Sequence, residues 1–266
     1  MAQPADYHMH TPLCRHAAGA PTAYAARALA LGLTEIGFSD HSPMPRDDFD
    51  DWRMRLDQLD EYVEQVRQAQ REHPALTIRL AMEVDFLPGQ EEWIRDLAAR
   101  HPWDYLIGSV HYVSGGWDVD SPFKRERWTN CDVDAVWAEY CERLRQAAAS
   151  GLFEILGHVD LPKKFRFLPR GELGELFKPV FDAAAASRTA IELNTAGLRK
   201  DCAEIYPSLP LLKLARARGV PITFGSDAHQ PEEVGSEFAA ALALARSAGY
   251  REWRACAGRT VQNCAL

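Results

Sequence analysis

No apolar run in this 266-residue chain approaches the ~18 residues a membrane-crossing helix needs, which excludes a helical membrane protein. The start lacks the basic region and apolar core of a signal peptide, so no secretory leader is expected. Six cysteines (Cys14, Cys131, Cys141, Cys202, Cys256, Cys264) form no CxxC pair, in a chain too large to need disulfide staples. Reduced thiols in a cytoplasmic protein are the expectation. Positive charge is also short: 30 Lys and Arg stand against 38 Asp and Glu, for a net charge of -8. That excludes a general affinity for long nucleic acid or anionic membrane, so any phosphate on a ligand must be captured by local cations. No GxGxxG follows the first expected strand, which argues against a dinucleotide fold. Low-complexity segments, short repeats and a convincing linker are absent as well. A single domain over residues 1–266 is the expectation, a length common for α/β barrels.

What is present is alternation. Strands are expected near 6–8, 35–38, 77–82, 105–110, 154–157, 190–193 and 221–225. Amphipathic stretches lie between them, at 21–31, 52–71, 91–100, 133–150, 172–187 and 209–218, and a last helix at about 236–248. Pro21 suits a first helical position, and Gly32 and Gly151 suit helix stops. Strand–helix repetition of this kind implies a parallel sheet, and seven units favour closure into a TIM-like barrel over an open doubly wound sheet. The tail 251–266 reads either as a last strand or as a segment packed under the barrel.

The polar residues fall at the strand ends. His8 and His10 close the first strand and His16 follows; His41 follows the second, Glu83 the third, His111 the fourth and His158 the fifth. Asp227 and His229 follow the seventh. Seven of the nine histidines sit here; only His73 and His101 lie elsewhere. The carboxyl ends of barrel strands form the face where active sites are built. A lone strand-end histidine is usually a hydrogen-bonded structural residue. So many imidazoles and carboxylates converging without cations would carry heavy desolvation and repulsion costs, which divalent metals remove. His-x-His on a strand turns both rings to one side, where they can share an ion. Mixed nitrogen and oxygen donors suit Zn, Fe or Mn.

The segments "HMHTPLCRH", "SDHSP", "EVD", "GSVHY", "GHVDLPKKF", "NTAGLRK" and "GSDAH" together resemble the PHP (polymerase and histidinol phosphatase) family of metallohydrolases. "HTPLCRH" and "GHVDLPKKF" are most similar to its stand-alone histidinol-phosphatase branch. The resemblance implies a distorted (β/α)7 barrel and three divalent ions. His8, His10, Glu83 and Asp227 would hold one; Glu83 would bridge to a second, completed by His111 and His158. His16, His41 and His229 would hold the third. The implied reaction is attack of metal-activated hydroxide on the phosphate monoester of L-histidinol phosphate, as a step of histidine biosynthesis.

Such chemistry needs no phosphoenzyme, so Cys14 reads as a packed residue and Ser42 need not be a nucleophile. Asp40, before a ligand, reads either as a group that orients a ligand or moves a proton, or as a turn cap; Asp160 is similarly ambiguous. Arg199 and Lys164 are the leading phosphate-binding candidates, with Lys163, Arg166 and Arg15 behind them. Asn194 is a candidate to fix its loop or hydrogen-bond substrate. Asp47, Asp48, Trp52 and Trp117 lie in connections that could meet the amine and imidazole of the substrate. Three other readings stay open: a phosphatase or phosphodiesterase acting on nucleotides or other small esters, a two-metal amidohydrolase-type barrel, and a non-catalytic metal-stabilised barrel.

Overall fold

The computed structural model describes residues 3–266; the expected domain's first two residues lie outside the described part. Its strands are β1 (Glu35–Phe38), β2 (Thr77–Asp85), β3 (Tyr105–Ser109), β4 (Tyr112–Val113), β5 (Trp117–Asp118), β6 (Ile155–Leu156), β7 (Ala190–Asn194), β8 (Ile222–Gly225), β9 (Glu252–Ala257) and β10 (Thr260–Ala265). The α-helices are α1 (Pro21–Ala30), α2 (Leu59–Glu72), α3 (Glu91–Arg100), α4 (Val133–Ala149), α5 (Leu173–Ser187), α6 (Leu209–Ala217) and α7 (Phe238–Ser247). No helix of the described residues is long and apolar enough to cross a membrane.

Six strands form one parallel sheet in the order β1-β2-β3-β6-β7-β8. Crossover helices require parallel strands, and strands covered on both faces become near-continuous apolar runs. Accordingly every residue of β3, β6, β7 and β8 is buried. Asp132 caps α4 by accepting from the backbone N–H groups of Asp134 and Ala135. At Gly37 in β1 a Cβ would stand 1.9 Å from the Tyr105 hydroxyl. Only glycine lets that tyrosine cross the interior and donate to the Tyr7 carbonyl at 2.6 Å.

The first expected strand, at 6–8, differs from expectation: it joins no ladder. It makes single parallel bridges instead, Asp6 to Ile36 on one side and Met9 to Ala228 on the other. Tyr7 N–H donates to Phe224 O and Ala228 N–H to His8 O, while Gly37 N–H donates to Asp6 O. The pairing is irregular because side chains take ladder positions. The Tyr7 carbonyl accepts from Ser39 Oγ and Tyr105 OH. Asp6 carboxylate oxygens accept from Ser226 N and Gly235 N.

Two other differences matter. α2 begins at Leu59 rather than Trp52, because residues 42–55 run as a loop over the sheet ends. The tail forms the antiparallel hairpin β9–β10, outside the parallel sheet. Its Trp253 packs 6.2 Å from the Tyr7 ring and 6.5 Å from Phe224, and Cys256 N–H donates to Tyr7 OH.

Candidate metal centre

The strand ends bring one group of side chains together. His8 and His10 come from the irregular first segment, Asp40 and His41 from the turn after β1, Glu83 and Asp85 from the end of β2. His111 follows β3, His158 follows β6, Glu192 and Asn194 lie in β7, and Asp227 and His229 follow β8. His158 and Asp227 adopt positive φ, 21° and 52°. Backbone conformations that side chains avoid persist where the surroundings over-determine them, and they gather at functional sites.

Glu83 stands at the middle and is buried. Its Oε1 lies 2.9 Å from His158 Nε2 and 3.7 Å from His111 Nε2. Its Oε2 lies 2.7 Å from His41 Nδ1, 3.3 Å from His8 Nε2 and 3.8 Å from His10 Nε2. Asp227 Oδ1 approaches His10 Nε2 at 3.2 Å and His229 Nδ1 at 3.5 Å. His229 Nε2 and His16 Nε2 face each other at 2.9 Å. Three sets place ligand atoms within 4.8 Å of one another: His8, His10 and Asp227; Glu83, His111 and His158; and His10, His41 and His229. Two further sets include Cys14, one with His16 and His229 and one with His10 and Asp40; Cys14 is buried, and burial pushes its thiol above its ordinary value. His16 meets His229 and also stacks on His41, with ring centroids 5.4 Å apart, and stands on the exposed side of the cluster.

These residues fit divalent cations. His8 Nε2, His10 Nε2, His41 Nδ1 and Glu83 Oε2 are buried and lack a well-formed hydrogen bond. Buried polar atoms without partners are costly, and here they converge on shared points. The protonation pattern tells the same story. Burial opposes charge on His8, yet Glu192, Glu83 and Asp227 raise it well above the ordinary histidine value. Burial opposes charge on His111 too, but Asp85 and Glu83 lift it to about 9. Burial and the neighbouring His10 push His41 and His229 well down. Burial would raise Glu83, but His41, His8 and His111 hold it far below the usual carboxylate range. Glu83 kept ionised with His41 and His229 kept neutral suits a divalent site, and the protons that the carboxylates draw onto His8 and His111 stand where a cation would supply the same positive charge.

Around the cluster, outer partners hold the rings. Glu192 Oε1 meets His8 Nδ1 at 2.7 Å, Asp85 Oδ1 meets His111 Nδ1 at 2.8 Å, and Cys14 O meets His16 Nδ1 at 2.8 Å. Asp40 Oδ1 lies 3.3 Å from His10 Nδ1 and accepts from His41 N, while its Oδ2 accepts from Thr11 N and Oγ1. Every Asp40 contact therefore lies on the outer side of the rings. Glu192 and Asp85 were not singled out in the sequence. Their signal was there in outline: Glu192 interrupts an apolar strand, "AIELN", and Asp85 shares its strand face with Glu83.

A cavity of about 1070 Å³ opens over the cluster, lined by His41, Glu83, His111, His158, Asp227 and His229. Lys164 and Arg199 both reach it. Lys164 Nζ donates to Asp120 Oδ2 at 2.9 Å. Arg199 NH2 donates to Ser226 O and Asp227 O, while its buried NH1 has no partner. Arg15 is exposed, donates to Asp51 O, and does not line the cavity. Lys163 is buried and tied to Asp160, Glu204 and Ile205 O, so it is a tether and not a clamp. Asp160 also accepts from Ser208 N. Trp52 and Asp48 line the cavity. Asp47 instead accepts from Leu56 N, and Trp117 packs against Trp128.

Known proteins give this geometry a context. The PHP domain model matches residues 6–196, and a PHP-associated model matches residues 212–239. A protein of Deinococcus radiodurans named a probable histidinol-phosphatase is 44% identical over 92% of this chain and 94% of its own length. The histidinol-phosphatase of Bacillus subtilis is 30% identical over 90% of this chain and 98% of its own. A crystal structure of the Lactococcus lactis histidinol phosphate phosphatase, complexed with Zn, L-histidinol and phosphate, matches with a TM-score of 0.83 at 23% identity. That match covers 98% of this chain and 100% of the other, and shows a shared fold. With one family model spanning residues 6–196 and relatives of this similarity along nearly the whole chain, the protein belongs to the PHP domain family.

Proposed function

We propose that this chain hydrolyses L-histidinol phosphate to L-histidinol and phosphate in the cytoplasm, as one catalytic unit whose seventh barrel stave is the segment 6–10. The observation that carries the reading is the division of Glu83 between two groups of imidazoles beneath a cavity that holds Arg199 and Lys164. It is supported by the family and by the activities named for the Deinococcus and Bacillus relatives.

His8, His10, Glu83 and Asp227 would hold one divalent ion, Glu83, His111 and His158 a second, and His16, His41 and His229 a third. Zn, Fe and Mn all suit this donor set. When bound, such ions supply a water of lowered pKa and positive charge against the phosphoryl oxygens.

The chain's own groups do the rest. Glu83 keeps both oxygens turned into the centre. Asp227 has Oδ2 fixed by Asn194 Nδ2 at 3.1 Å, which leaves Oδ1 directed at His10. Asp40 orients His10 and does not touch the reacting atoms. Arg199 and Lys164, both on the cavity wall, would supply positive charge to the phosphoryl oxygens. Trp52 stands edge-on to His41 at 4.7 Å and to His111 at 5.4 Å, and keeps water from that side of the rings.

The test is phosphate release from L-histidinol phosphate beside sugar phosphates, nucleotides and a diester, each with Zn, Mn or Fe and after chelation. A metal-dependent kcat/KM higher by about a hundredfold on histidinol phosphate, roughly 2.7 kcal/mol of transition-state preference, is expected. Equal rates across the panel would remove the substrate assignment, and hydrolysis of the diester alone would turn it to a phosphodiesterase.

A further inference from the structure

Arg53 has no role in the reading above, yet it is buried, with its side chain 5% exposed. Its guanidinium uses three edges on three acceptors: Nε on Asp50 Oδ2 at 2.7 Å, NH1 on Ser42 O at 3.0 Å and NH2 on Asp85 Oδ2 at 2.8 Å. The other Asp85 oxygen meets His111 Nδ1 at 2.8 Å and accepts from His111 N at 3.2 Å. The guanidinium carbon lies over the Trp52 ring, 4.2 Å from its centroid, and Trp52 stands edge-on to the His111 ring. Asp50 in turn accepts from Tyr112 OH at 2.6 Å, one residue beyond His111.

We propose that Arg53 is a positioning residue for His111, acting through Asp85 on the ring's outer nitrogen and through Trp52 on its side. The proposal rests on the reading of Glu83, His111 and His158 as a metal site.

Geometry carries it. A carboxylate can hold an imidazole in one orientation only if its own rotation is stopped. Asp85 is buried, and its second oxygen finds its only side-chain cation in Arg53 among the described residues. Each of the three acceptors takes a different nitrogen of the planar fork, an arrangement that a lysine, with one nitrogen, does not reproduce. With Arg53 absent, Asp85 keeps a buried, unpaired oxygen and is free to turn from His111. Outer partners of this kind typically govern metal affinity.

The experiment titrates zinc into metal-stripped full-length protein against a chromophoric chelator, with melting temperature recorded in parallel. In Arg53→Met, one zinc equivalent is expected to weaken by roughly 10–100-fold while the others keep their affinity. Arg53→Lys is expected to fall between, since it restores charge and not the fork. A folded Arg53→Met that binds every equivalent as tightly as wild type overturns the proposal, even if its melting temperature drops, because that pattern is a purely structural role. If Arg53→Met does not fold, Arg53→Lys decides, and wild-type zinc affinity there overturns it equally. Wild-type protein that takes up no zinc would remove the metal reading itself, and this proposal with it.

Discussion

Glu192 holds His8. Its Oε1 lies 2.7 Å from His8 Nδ1 across 184 residues of chain, and its Oε2 accepts from His158 N and Asn194 Nδ2. One carboxylate therefore orients a ring on the first segment and a backbone turn after β6, and leaves His8 Nε2 facing Glu83.

Replacing Glu192 by Gln puts an amide NH2 against groups that already donate. Whichever way the amide lies, His8 or the His158 N–H loses its acceptor. A loss of roughly 10–100-fold in metal affinity or activity is expected, as for outer-partner changes at other sites. Zinc content and kcat measured together check it; a Gln variant matching wild type in both would show that His8 orients itself.

Gly225, at the end of β8, is where the fold leaves least room. A Cβ there would stand 1.9 Å from Glu192 Oε1 and 2.6 Å from His8 Cβ. Gly225→Ala is expected to displace both groups and to cost about 1–3 kcal/mol of stability through overpacking. Chemical denaturation and zinc content test this, and the loss of metal should exceed that of Glu192→Gln.

Lys164 and Asp120 form a pair on the cavity wall. Burial would raise Asp120, but Lys164, with His111 and His158, holds it at about 2. A folded value below the ordinary 3.8 means that the stabilising contribution is full above about pH 4 and is lost as pH falls through about 2. The difference corresponds to roughly 2 kcal/mol. Lys164→Met is expected to move the Asp120 titration up by about one unit or more. Carboxyl carbon shifts of Asp120 across pH 2 to 6 in metal-free protein would show it; an unmoved midpoint would mean that the imidazoles alone depress it.

Metal removal tests the centre as a whole. Each ion bound only by the folded chain adds about 2.7 kcal/mol when it is present at a hundred times its Kd. Chelation is therefore expected to lower the melting temperature by several degrees, and zinc or manganese to restore it. A melting curve indifferent to chelator, in protein shown to have lost its metal, would argue that the side chains stabilise one another unaided.

Much of the fold was legible from periodicity. β1, α1 and α3 fall within a residue of expectation, because amphipathic spacing and Pro or Gly punctuation act on nearby residues. Residues 6–10 were less legible: their pattern reads as a strand, but the hydroxyls of Ser39 and Tyr105 occupy the Tyr7 carbonyl, and no sequence window contains those partners. The 52–58 segment was misjudged for a related reason. Trp52 and Arg53 have an amphipathic look, yet Arg53 is drawn out of a helix by Asp50, Ser42 and Asp85. The cavity cations divide the same way: Lys163 and Lys164 are adjacent and chemically alike, and only the fold turns one to a buried tether and the other to the cavity.

The sequence by itself determined which chemistry is possible: histidines and carboxylates at strand ends, on a chain with no surplus of positive charge. Parallel strands send their carboxyl ends to one side, so this much follows from local pattern. The tertiary structure alone decided which carboxylate faces which imidazole. Both Glu83 and Glu192 are buried, yet Glu83 faces His8 Nε2 and Glu192 holds the same ring by Nδ1, and a buried charge takes its role from the partners that surround it rather than from its neighbours in the chain.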